Sequence, residues 1–98
     1  VLDYHRGVPP VVNEAVSVGM LSDAMDRCFG PGQVEGTEQS LGGEDFSWYL
    51  EQAPGALARL GVRGLDEQGS RDLHQGTFDA DEGAIGVALE LFTALVLG

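Results

Sequence analysis

Basic residues are scarce in this chain: five stand against sixteen acids, for a formal charge of −11. A surface of that sign repels a phosphate backbone and argues against a nucleic-acid partner. It argues equally against docking on an anionic membrane, and solubility is its plain reading. Cysteine is scarcer still. Cys28 stands alone, so an intrachain disulfide and a thiolate metal cluster are both impossible within this sequence. A reducing, cytoplasmic compartment is the natural expectation. No signal-peptide pattern is present. The longest apolar stretch, Ile85 to Leu97, is interrupted by Gly86, Glu90 and Thr93 and is too short to span a bilayer. The catalytic signatures GxSxG, CxxC and HExxH, the Walker loop and the dinucleotide fingerprint are all missing.

What is present is one small domain's worth of chain: 98 residues, of which 43% are hydrophobic. That is too apolar for a disordered acidic tail, yet short enough to limit the core. The sequence opens on Val1, inside a segment that already alternates, which suggests a piece of something longer. "VLDYHR" sets Leu2, Tyr4 and Arg6 against Asp3 and His5 and predicts a strand with one wet face. Pro9 and Pro10 break it. Asn13 is placed to cap a helix in which Val18, Leu21, Met25 and Cys28 form one apolar face. Gly30 and Pro31 stop that helix. Residues 34–38 read as a weak strand. Asp45 is placed to cap a short helix carrying Phe46, Trp48, Tyr49 and Leu50, closed by Pro54-Gly55, and residues 56–62 read as a strand.

Residues 63–72 make a polar loop. Asp79 and Glu82 then have capping-box spacing ahead of a last helix. Ile85, Leu89, Phe92 and Val96 form one face of that helix, and Ala88, Leu91 and Leu95 flank it. So wide a stripe predicts burial on more than one side. Strands alternating with helices predict an α/β fold, with helices packed on a mixed sheet.

His74 sits in the loop before that last helix, with Asp72, Asp79 and Asp81 near it in sequence. A neutral imidazole in such a loop can ligate a metal, its second nitrogen held by a carboxylate or carbonyl. One histidine is not a site, because zinc takes three or four protein ligands. On the residues alone, a structural or solvated histidine is the plainer reading. A calcium loop starting at Asp79 fails, because its fifth and sixth positions are Gly83 and Ala84. Helix capping explains these acids better. Gly42 and Gly43 precede Glu44 and Asp45. Paired glycines let a backbone approach a ligand closely, and free N–H groups can hold an oxyanion or carboxylate. An ordinary tight turn explains them as well. Glu44 and Asp45 are adjacent, so they make a poor general acid/base pair.

Three segments in order, "YHRGVPPVVNE" (4–14), "SLGGEDFSWYLEQAPGALARLG" (40–61) and "LHQGTFDADEGAIGVALELF" (73–92), resemble the C-terminal portion of the aminoacylase/carboxypeptidase-type metal-dependent amidohydrolases. The nearest branch holds hippurate hydrolase, N-acyl-amino-acid hydrolases and auxin-conjugate hydrolases. The resemblance implies a two-domain enzyme with two divalent metal ions, zinc or manganese, and an inserted lid domain through which the full-length protein forms a homodimer. Residues 1–8 then match the last lid strand, and residues 9–98 match the C-terminal segment of the catalytic domain. His74 matches the last metal ligand. Gly42, Gly43, Glu44 and Asp45 match a segment lining the pocket, with Asn13 at the hinge a weaker candidate for facing it. The substrate implied is a small N-acyl amino acid or peptide-like conjugate.

The remaining ligands and the general base lie upstream in that family. No catalytic residue can therefore be placed here, and the chain alone is expected to be inactive. The rival reading is a small acidic, non-catalytic protein-interaction domain. Cooperative unfolding of an isolated monomer would favour it.

Overall fold

A computed structural model describes residues 1–64 and 74–98. Its described residues form three helices in the order α1 (Ala15–Phe29), α2 (Phe46–Leu50) and α3 (Gly83–Leu97). They fall into two units, Val1–Ala58 and Arg59–Gly98.

The expected mixed sheet is absent: no strand occurs among the described residues. This corrects the α/β expectation and all three predicted strands, at 1–6, 34–38 and 56–62. Alternation and β-branched residues make a segment fit a pleated surface, but a strand exists only when a neighbour shares a ladder of hydrogen bonds. Here the cross-segment backbone bonds are isolated ones, Glu14 N–H to the Gly55 carbonyl at 2.9 Å and Asp81 N–H to the Val62 carbonyl at 2.7 Å. Most of the predicted polar loop 63–72 lies outside the described residues, and Asp72 with it.

In the first unit, α1 begins one residue later than Asn13 would cap it. Glu14 is extended (φ −82°, ψ 134°), and its carboxylate accepts the N–H groups of Val16 and Ser17 at 2.9 and 2.7 Å. The Ser17 hydroxyl donates to the same carboxylate at 2.8 Å. A capped first turn satisfies donors that have no partner inside the helix. These bonds favour the charged form, so the Glu14 carboxyl is held below its ordinary value of 4.5. At the other end Gly30 takes φ 86°, a conformation L side chains rarely adopt, and its N–H closes on the Asp26 carbonyl at 2.9 Å. The helix turns Ala24 fully inward, with Leu21, Met25 and Cys28 half-buried and Val18 exposed. The expected face is therefore present, but centred on Ala24.

α2 starts behind Glu44 rather than Asp45. The Glu44 carboxylate accepts Phe46 N–H at 3.2 Å, and its carbonyl accepts the Ser47 hydroxyl at 2.7 Å and Ser47 N–H at 3.2 Å. Asp45 makes no side-chain cap. Ser47 is only 1% exposed, which is possible because its hydroxyl and its N–H are both bonded.

In the second unit, Gln75 to Phe78 form a turn closed by Phe78 N–H on the Gln75 carbonyl at 3.0 Å. α3 begins behind Asp81, whose carboxylate accepts Gly83 N–H at 2.8 Å. The expected Asp79–Glu82 box does not form, since Glu82 is already helical and caps nothing. The expectation of deep burial also fails. Ile85, Leu89, Phe92 and Val96 are 71, 68, 63 and 82% exposed, and no residue of α3 is buried. The half-buried side is the flank, Val87, Ala88, Leu91, Ala94 and Leu95.

Candidate functional site

The glycine loop belongs to the first unit. Gly42 and Gly43 are exposed, and neither takes a positive φ. Gly42 N–H donates to the Ser40 hydroxyl at 3.2 Å. A side chain on Gly43 would begin 3.4 Å from Val8 Cγ2, an ordinary contact. Neither backbone conformation nor crowding therefore demands glycine at these positions. The pair instead leaves the backbone ahead of α2 uncovered. Glu44 spends its carboxylate and carbonyl on starting α2, while the Asp45 carboxylate is exposed beside it.

Asn13 does not cap α1. Its side-chain amide pairs with both backbone groups of one residue: Nδ2 donates to the Leu57 carbonyl at 3.0 Å, and Oδ1 accepts Leu57 N–H at 2.8 Å. Beside it, Glu14 N–H reaches the Gly55 carbonyl. Gly55 in turn stands close to α2: a side chain there would begin 3.2 Å from Leu50 Cδ2 and 3.7 Å from Phe46 Cζ. Phe46 and Tyr49 are tilted ring neighbours, with centroids 6.1 Å apart. Trp48 and Tyr49 are exposed rather than forming a core.

His74 belongs to the second unit. It stands exposed at the start of the turn before Phe78, so an imidazole there is accessible to a ligand. The described residues do not by themselves fit a metal: among them no group of three or more His, Cys, Asp or Glu side chains is placed to hold one. A single imidazole falls short of any zinc site. His5, the other histidine, is an exposed partner of Asp3 at 3.3 Å.

Glu14 and Ser47 escaped the sequence reading, and Gly55 was read only as part of the stop to the short helix. The first two had a signal for their role. Glu14–x–x–Ser17 and Glu44–x–x–Ser47 have the spacing of a capping box with the acid and the hydroxyl exchanged. Gly55 had none, because its role is to admit side chains from α2.

The family model for peptidase family M20/M25/M40 matches residues 1–97. The chain is 46% identical over 95 residues to a Rhodococcus jostii (strain RHA1) protein named "Putative glutamate--cysteine ligase 2-3", covering 96% of this chain and 12% of that one. It is 45% identical over 85 residues to a protein from Synechocystis named as a probable hydrolase, covering 86% of this chain and 22% of the relative. It is 37% identical over 82 residues to an N-acetyl-L-cysteine deacetylase of Bacillus subtilis (strain 168), covering 84% and 18%. The chain thus spans about an eighth to a fifth of the length of these relatives. No solved structure matches it. With that match running through Asn13, the glycine loop and the His74 turn, the chain belongs to peptidase family M20/M25/M40.

Proposed function

We propose that the whole protein containing this chain hydrolyses the amide bond of small N-acyl amino acids, and that N-acylated cysteine is the first substrate to try. The observation that carries this reading is the family match over residues 1–97, supported by relatives named for deacetylation of N-acetylcysteine. The ligase name of the Rhodococcus relative favours a second reading, amide formation, but with less weight. That segment is 12% of its relative against 22% of the hydrolase, which makes the ligase-named chain roughly twice as long. Its name need not describe the part matched here.

In this reading, His74 supplies one metal ligand, and residues outside this chain complete a site for two divalent ions, zinc or manganese. No step of the reaction is assigned to the ions from these residues. The chain's own contribution is to bind and orient: Gly42, Gly43, Glu44 and Asp45 line the pocket, and the backbone amides there hold carboxylate or transition-state charge. Asn13 belongs to the same pocket wall through Leu57. Residues 1–8 belong to a lid domain that mediates a homodimer, and residues 9–98 to the catalytic domain. A cytoplasmic location follows in this reading from the lone Cys28, which fits a reducing compartment. The isolated chain is inactive, since one ligand cannot build a hydrolytic metal centre.

The test is a ninhydrin assay for the primary amine freed when the full-length protein acts on N-acetylcysteine and other N-acetyl amino acids. Release of the free amino acid is expected. Amide formation from the free amino acid, without hydrolysis, would replace this reading with the ligase one.

A further inference from the structure

We propose that Asn13 is a positioning residue for the glycine loop, acting through a clasp in which residues 8–14 hold the stretch 43–57 at both of its ends. At the leading end, Val8 packs beside Gly43, its Cγ2 3.4 Å from where a side chain there would begin. At the trailing end, Asn13 exchanges two hydrogen bonds with Leu57, of 2.8 and 3.0 Å, and Glu14 adds a third to Gly55. Between these ends lie the loop residues Glu44 and Asp45 and all of α2. The trailing hold reaches α2 through Gly55, which leaves room for Leu50 and Phe46. Phe46 follows directly on the loop, and its N–H is bonded to Glu44.

Asparagine suits this task chemically. Its planar amide presents N–H donors and a carbonyl acceptor side by side, so it engages both backbone groups of one residue as a peptide unit would. Aspartate lacks the donor, and alanine lacks both groups. Sequence separation makes the hold valuable: Asn13 and Leu57 are 44 positions apart, so nothing local substitutes for it. The inference rests on the proposed function in one respect, that the loop at 42–45 meets substrate.

The test uses the full-length protein with Asn13→Ala and Asn13→Asp. Amide hydrogen exchange should accelerate across 42–57 in Asn13→Ala, and less in Asn13→Asp, which keeps the acceptor for Leu57 N–H. KM for an N-acyl amino acid should rise about tenfold in Asn13→Ala with kcat within about twofold, because binding geometry is loosened while the chemistry is untouched. A Gly43→Ala change should raise KM less in the Asn13→Ala background than in wild type, since both act on one loop. Unchanged exchange across 42–57 would overturn the clasp. Faster exchange with an unchanged KM, or full additivity with Gly43→Ala, would overturn the positioning role. If Asn13→Ala does not fold, the same criteria apply to Asn13→Asp. If wild type hydrolyses no N-acyl amino acid, the hydrolase reading fails and the substrate role of Asn13 with it, while the exchange measurement decides the clasp separately.

Discussion

α1 and α3 are each 15 residues long and each begins behind an acidic side chain, yet their faces meet different surroundings. α1 has a three-bond cap at Glu14, a glycine stop and a mixed face that turns Ala24 completely inward. α3 is apolar around most of its circumference and has one capping bond, from Asp81, but none of its residues is buried. α1 is therefore held by signals within its own unit. α3 carries a burial pattern that the described residues leave unmet, with five large apolar side chains exposed. A local cap decides where a helix starts, but tertiary packing supplies most of its stability.

The strongest way to break that contrast is to place charge on each helix in the 98-residue chain. Leu21→Asp puts a carboxylate on the inward side of α1 and should destabilise the first unit by about 3 kcal/mol, enough to abolish its ordered signals in amide exchange. Leu89→Asp with Phe92→Asp puts two charges on the outward side of α3. Here the expected change is in association: wild type should self-associate with rising concentration in sedimentation, as exposed apolar patches do, and the double variant should be largely monomeric with little loss of helicity. A monomeric wild type at about 100 µM would show that the α3 face is harmless in water.

A smaller effect sharpens the comparison from the side of α1. The Glu14 carboxyl is held below its ordinary value by the Val16 and Ser17 amides and the Ser17 hydroxyl. A group whose folded value is depressed contributes stability that is complete above the unfolded value of 4.5 and is lost as pH falls through the folded value. Circular dichroism should therefore show acid loss of α1 helicity beginning below that point. Glu14→Gln should flatten the dependence, because an amide keeps an acceptor but does not titrate. An unchanged pH profile in Glu14→Gln would remove the carboxylate from the account of α1.

Helix positions were legible in the sequence, and their starting residues were displaced by one or two places. Asn13, Asp45 and Asp79 were credited with capping work that Glu14, Glu44 and Asp81 perform. The chemistry was right and the register wrong, because several adjacent side chains in these stretches can accept a backbone N–H. Strands were misread for a different reason: alternation in "VLDYHR" states what one segment can do, while a ladder depends on a second segment that composition does not reveal. Asn13 shows the same limit. Its partner lies 44 residues away, and no local pattern announces Leu57. The family, by contrast, was legible from three short segments in order, and the match over residues 1–97 agrees with it.

The metal-ligand role proposed for His74 is the central claim about this chain's own residues, and the most direct measurement is the metal content and amide hydrolysis of the full-length protein carrying His74→Ala. Changes to groups that merely support a ligand typically cost about 10- to 100-fold in affinity or activity. With His74 in its proposed role as a direct ligand, its loss should therefore remove metal from the purified protein and lower turnover of N-acetylcysteine by at least about 100-fold. Full metal occupancy with wild-type turnover in His74→Ala would contradict the account.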